Sequence, residues 1–225
     1  MPQACGGDFQ QAAIVSAIMQ HSIFTIGHST HSQERFLALL HQHGITALCD
    51  VRSKPYSRVN PQFNRDELEK ALLSQGIAYR FLGKELGARS DDPKCYEGGK
   101  VQYKRLAETD IFKLGIKRVL RGMKDDFRIA LMCAEKEPLD CHRTILVARH
   151  LATLGIDIQH IHADGHLENH ADALSRLARI LNLAEEDMFH SREELLANAY
   201  RRQEERIAYA VTEAANAAIV RGAAG

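Results

Sequence analysis

Two thiols, an imidazole, a guanidinium and a carboxylate fall within one short stretch, as Cys133, Cys141, His142, Arg143 and Glu135. The stretch begins where the apolar run Arg128 to Cys133 ends, and it closes on the first turn of a helical pattern over 141–154. A strand's C-terminal end running into a helix start is where open α/β sheets hold ligands. Each group has a use there. Asp140 is placed to cap the helix, and the first-turn N–H groups with the helix dipole favour an anion. Arg143 offers a planar fork for phosphate or carboxylate. A thiol at a helix start is more acidic than a free one, which makes Cys133 or Cys141 a candidate nucleophile. The plainer account is that Asp140 only caps and one cysteine packs as a small hydrophobe.

Further polar groups stand at the ends of other apolar runs. Ile23 to Ile26 leads into Gly27-His28-Ser29, and Ile45 onward closes on Asp50-Val51-Arg52. Strand alternation puts Asp50 and Arg52 on one side. With Tyr56 and Arg58 in the following Pro-bounded loop, Arg52 reads as a clamp for an anionic or planar ligand. His28, Asp50 and Glu135 are the candidate proton carriers. His160, His162, Asp164 and His166 offer metal-ligand types, but strand ends collect polar residues and twelve histidines make such coincidences ordinary. C-x7-C is not a usual zinc spacing either, so no metal ligand is assigned.

The elements that must position these groups alternate. Five apolar runs are read as strands, at 23–27, 45–51, 77–82, 128–133 and 157–162, each followed by turn chemistry and a helical pattern. Ser32 caps one helix that Gly44 ends. Asn64 with Glu67 resembles a capping box for a second. Residues 87–100 form a polar loop and a candidate lid. Residues 101–124 are helical with a break at Thr109-Asp110, and residues 192–218 read as a long helix. Such alternation predicts an α/β fold with a largely parallel sheet of about five strands, helices on both faces and a helical C-terminal appendage. Its strand ends converge on one edge. The boundaries are a loosely attached leader at 1–20, an α/β domain at 21–184 and a helical extension at 185–225, the last a candidate dimer arm.

Composition narrows the class. Of the 225 residues 45% are hydrophobic and 26% charged, as in a water-soluble globular chain. Lys+Arg and Asp+Glu balance at 29 each, so no overall basic field draws nucleic acid. No apolar run is long enough to span a bilayer. The stretch Ala12 to Ile18 is apolar but is preceded by Asp8 and no Lys or Arg, which is not the pattern of a secretory leader. Five cysteines, an odd number at irregular spacing, fit a reducing cytoplasm rather than a disulfide framework.

These motifs together resemble the bacterial and archaeal family known only as domain of unknown function 488. The similarity rests on Thr25-Ile26-Gly27-His28-Ser29, on Asp50-Val51-Arg52 with Pro55 and Ser57, on Tyr79 with Leu86-Gly87, on Cys133-Ala134-Glu135 through Cys141-His142-Arg143, and on His160-Ile161. The tail from Phe189 through Tyr200-Arg201-Arg202-Gln203 to Tyr209 resembles that of longer members. The resemblance implies a Rossmann-like three-layer fold and supplies no substrate. The expectation is an enzyme acting on a phosphate-bearing ligand, a nucleotide or a nucleic-acid end. His28, Asp50, Cys133, Glu135 and Cys141 would be its catalytic groups, and Arg52, Arg58, His142 and Arg143 its ligand contacts. One variant is N-glycosidic cleavage with Glu135 at an oxocarbenium-like centre. The alternatives are a non-catalytic module that senses a nucleotide or a metal in the same pocket, and a partner-binding protein that uses its C-terminal helices. No cofactor is implied.

Overall fold

The computed structural model describes residues 22–183 and 191–211. The 1–20 leader, residues 184–190 and positions 212–218 of the predicted 192–218 helix lie outside the described residues; within them that helix stops at Ile207, short of the expected span, because the chain turns extended at Ala208. Strand β1 (Ile23–Gly27) leads to α1 (Gln33–Gln42), β2 (Ala47–Asp50), α2 (Arg65–Ser74) and β3 (Ala78–Phe81). A short α3 (Gly83–Leu86), a two-strand ribbon of β4 (Tyr96–Glu97) and β5 (Lys100–Val101), α4 (Tyr103–Glu108) and α5 (Asp110–Lys124) follow. Then come β6 (Ile129–Cys133), a π-helical segment Arg143–Ala148 continuing into α6 (Arg149–Thr153), β7 (Ile158–Ile161), β8 (Leu167–Asn169), α7 (His170–Ile180) and α8 (Arg192–Ile207).

The main sheet has the order β3-β2-β6-β1-β7-β8. Every pairing is parallel except β7 with β8. All five runs read as strands are strands of this sheet. Side chains alternate between its faces, and the two hydrophobic cores divide accordingly. Phe24, Ile26, Leu48, Ala130 and Met132 pack against Phe36 and Leu39 of α1 and Leu68 and Leu72 of α2. Ile23, Ala47, Cys49, Ile129, Leu131 and Cys133 face Phe112, Ile116 and Val119 of α5, with Ile145 and Leu151 beyond. The result is the three-layer α/β fold.

Local chemistry sets the ends. Ser32 accepts a hydrogen bond from the Arg35 N–H and starts α1, and Gly44, at φ +62°, ends that turn. Thr109 breaks α4 from α5 by capping the latter. Asn64 does not form the predicted capping box, because its Oδ1 accepts from the Ser57 N–H at 2.6 Å instead. The polar 87–100 stretch is not an open loop: it carries a 3-10 turn at Pro93–Cys95 and the β4–β5 ribbon. Helix α8 opens with a reciprocal Ser191–Glu194 capping box and turns extended at Ala208. It packs back on the domain through buried Leu195, Ala199, Tyr200 and Gln203.

Candidate functional site

Cys133 is the last residue of β6, and the chain then crosses the end of β1. Gly27 allows the crossing. A Cβ there would lie 1.8 Å from the Glu135 carbonyl oxygen, so a side chain at 27 would drive the loop off the sheet. The N–H groups of His28 and Ser29 donate to the carbonyls of Cys133 and Ala134 at 2.9 Å each and extend the ladder past the strand. The loop runs through a 3-10 turn at Pro138–Asp140 that Glu137 caps. It then reaches Cys141, which is extended (φ −137°, ψ 141°) and whose carbonyl accepts from the Thr144 and Ile145 N–H groups. Cys141 therefore occupies the helix cap expected of Asp140. The Asp140 carboxylate instead accepts from Gln203 of α8 at 2.8 Å, and Gln203 also donates to the Leu139 carbonyl. The widened π turn that follows is a form often found at functional sites.

This path brings both sulfurs and one ring nitrogen together. His142 Nδ1 lies 3.7 Å from Cys133 Sγ and 3.9 Å from Cys141 Sγ. His142 Nε2 is 2.9 Å from the Val51 carbonyl. A carbonyl only accepts, so Nε2 carries a proton, and in the neutral form of the ring it is the Nδ1 lone pair that faces the two sulfurs. Among the described residues these three form the group with metal-ligand chemistry, their donor atoms all within 4.8 Å of one another. All three residues are buried, but they line a surface pocket of about 270 Å³ together with Tyr103, Glu135, Arg52, Lys54, Arg89 and Tyr209.

The two sulfurs are electrostatically unlike. Burial opposes charge on Cys141, but a hydrogen bond from Cys133 and the Arg143 guanidinium hold its thiol well below the usual range. Cys133 is pushed up by the same hydrogen bond and by burial. Of the two sulfurs, Cys141 is therefore the one that more readily carries the charge. Above it, burial and the nearby Cys141 charge raise the Glu135 carboxyl. That combination suits a proton carrier over an electron-rich centre.

The remaining predicted site residues lie elsewhere. The pleat sends His28 and Asp50 to the opposite face from Cys133. His28 stacks on Phe63 with centroids 4.4 Å apart, and burial with the neighbouring Arg52 charge lowers its pKa to about 4. Asp50 is fully buried and accepts from the Arg52 backbone N–H, from Arg52 Nε and Nη2 at 2.9 and 2.7 Å, and from the Tyr79 hydroxyl at 2.8 Å. Arg52 also donates to the Phe63 carbonyl and meets His28 Nε2 at 3.1 Å. Its fork is therefore consumed internally, although it borders the pocket. Arg143 does not stand as the predicted anion fork. It is fully buried under the loop, and its Nη1 and Nη2 donate to the Glu135 and Lys136 carbonyls at 2.7 and 3.3 Å, so the guanidinium shapes the loop. Arg58 is exposed and outside the pocket lining. The rim cations are instead Lys54 and Arg89, the latter 4.1 Å above the Tyr209 ring. Lys54 lies in the Arg52–Arg58 loop, where the sequence did not single it out from the two arginines, and Arg89 is a lone basic residue in its loop.

The histidine run divides as well. His160 bonds Thr25 Oγ1 at 2.8 Å and His170 at 3.0 Å, and His170 bonds the Tyr200 hydroxyl at 2.9 Å. This buried chain ties α8 to the sheet. His162 pairs with Glu168 and His166 with Asp164.

No curated protein and no solved structure matches the chain, and no helix among the described residues is long and apolar enough to cross a membrane. A family model, domain of unknown function DUF488, matches residues 32–150, just over half of the chain. That span contains β2, β3, β6, the Arg52 loop and the whole Cys133–Arg143 loop, and on it the chain belongs to the DUF488 family.

Proposed function

We propose that the protein is an enzyme acting on a small phosphate-bearing ligand, a nucleotide or a nucleic-acid end, in the pocket above Cys133, Cys141 and His142. The observation that carries the reading is the convergence of those three reactive atoms beneath a carboxyl with a raised pKa. Glu135 moves the proton to or from the reacting oxygen. Lys54, which has no ion-pair partner among the described residues, and Arg89 take the anion. The Tyr209 ring beside Arg89 offers a flat surface for a base. Four unpaired buried cysteines support a cytoplasmic location.

A thermal-shift screen of nucleotides, nucleobases and short oligonucleotides with terminal phosphates tests this. A true ligand at 100 times its Kd stabilises by about 2.7 kcal/mol. The Lys54→Ala/Arg89→Ala double variant should lose that shift, and Glu135→Gln should bind but turn over poorly. If no phosphorylated compound stabilises the protein, the reading fails. Binding without turnover that ignores Glu135→Gln favours a non-catalytic module.

A further inference from the structure

The three converging donor atoms make a pattern that neither a nucleophile nor a disulfide pair requires. A nucleophile needs one sulfur. A dithiol that cycles to a disulfide can use a neighbouring base but does not require an imidazole nitrogen placed almost evenly between its two sulfurs. A tetrahedral zinc site has a use for all three. With Zn–S near 2.3 Å and Zn–N near 2.0–2.1 Å, tetrahedral angles put S and N about 3.5 Å apart and two sulfurs about 3.8 Å apart. The structure places His142 Nδ1 3.7 and 3.9 Å from the sulfurs and all three atoms within 4.8 Å of one another.

The second layer is in place too. A metal-bound histidine characteristically gives its other N–H to a carboxylate or backbone carbonyl, which fixes the ring. His142 Nε2 does so to Val51 O at 2.9 Å. The scaffold is firm: Cys133 ends a central strand, and Cys141 and His142 are adjacent at a helix start braced by Gln203. Two thiolates and an imidazole select a soft or borderline ion over magnesium or calcium.

We propose that Cys133 Sγ, Cys141 Sγ and His142 Nδ1 form a three-ligand site for a zinc-class divalent ion, with the fourth position open to the pocket. Whatever protons the two sulfurs still hold leave to solvent on binding, and two thiolates neutralise the dication. Three protein ligands with one free position is the catalytic form of a zinc site, whereas structural sites are closed by four. The free position takes water or an oxygen of the bound ligand. That last role rests on the reading of the pocket as a ligand site, while the three ligands do not.

The test uses the full chain, made without a histidine tag and kept reduced. Titration with cobalt(II) should give one equivalent of binding with the intense visible bands and thiolate charge transfer of a tetrahedral site, and zinc should displace it. Cys133→Ala, Cys141→Ala and His142→Ala should each weaken uptake by at least the roughly 10–100-fold that outer-shell changes cost elsewhere. Cys49→Ala and Cys95→Ala, which alter buried thiols outside the cluster, should leave it unchanged. Because a ligand variant could disturb the loop, the native chain gives an independent readout: zinc should slow alkylation of Cys133 and Cys141 together, seen by mass spectrometry. Absence of thiolate bands, no protection of this pair, or a Cys133–Cys141 disulfide indifferent to zinc overturns the proposal. Metal uptake without nucleotide binding upholds this site and fails the enzymatic reading. Nucleotide binding without metal uptake does the reverse.

Discussion

Acid should destabilise this protein before its carboxylates are neutralised. Burial, aided at His28 by the Arg52 charge, lowers the His28 and His170 pKa values from 6.5 to about 4. Both rings are neutral in the folded chain, while in the unfolded chain each takes up a proton below pH 6.5. Their stabilising contribution is therefore complete above pH 6.5 and is lost as pH falls toward 4. The loss approaches about 1.4 kcal/mol per pH unit for each ring below pH 6.5, so the two together remove roughly 3 kcal/mol between pH 6.5 and 5. His160, lowered by burial and by its neighbours His170 and Arg143, adds to the fall. Glu135 and Glu204, raised by burial, act in the opposite sense, with less effect because both are less buried than the histidines. Against a usual total of about 5–15 kcal/mol, such a loss is a large fraction. Urea unfolding followed by circular dichroism at half-unit steps from pH 7.5 to 5 measures it. His170→Gln should make the dependence on pH visibly shallower whatever it does to stability at pH 7.5. Stability that stays flat between pH 6.5 and 5 would refute the buried-neutral assignment.

Asp50→Asn should destabilise by about 3–5 kcal/mol, because it leaves the buried Arg52 guanidinium without its counter-charge. Metal uptake at Cys133 should survive it, since Asp50 points to the other face; a denaturant midpoint unchanged within error would return Arg52 to the role of ligand clamp. In protein stripped by a chelator, iodoacetamide at neutral pH should modify Cys141 first, its thiol being held low by Cys133 and Arg143 against the opposing effect of burial. Cys49, pushed up to about 12 by burial, should react far more slowly than Cys141, and peptide mapping that reverses this order contradicts the charge assignment.

The strands were legible because burial on both faces writes continuous apolar runs: Ile23–Gly27 agrees to the residue, and the other four agree within two residues at each end. The ribbon and β8 were not legible, being two or three residues long, too short for an alternation to read. At the site, position along the chain was readable and facing was not. Period-two geometry separates His28 and Asp50 from Cys133, but strand ends alone do not tell which face holds the pocket. Arg143 looked like a ligand because a fork at a helix start suits an anion. Its use on two loop carbonyls depends on the loop folding back over Gly27, which only the three-dimensional path reveals. The Cys133–Cys141–His142 group was hidden by a seven-residue gap that the 3-10 turn and the extended cap take up.

The placement of β1 also sets the order in which the molecule can be made. It is synthesised before every other strand among the described residues, yet both its neighbours come late: Phe24 pairs with Ala130 of β6, and Ile23 with Ile158 of β7. Closing such long loops costs entropy before any contact repays it, so β1 offers two unsatisfied edges until most of the chain has emerged. On the ribosome, residues 23–27 are a buried apolar segment in waiting, open to pairing with the wrong strand or with another chain. Insertion of β6 between β1 and β2 is then the committing event of folding. The same event carries Cys133 to the end of β1, so the candidate site begins to form only when the sheet itself closes.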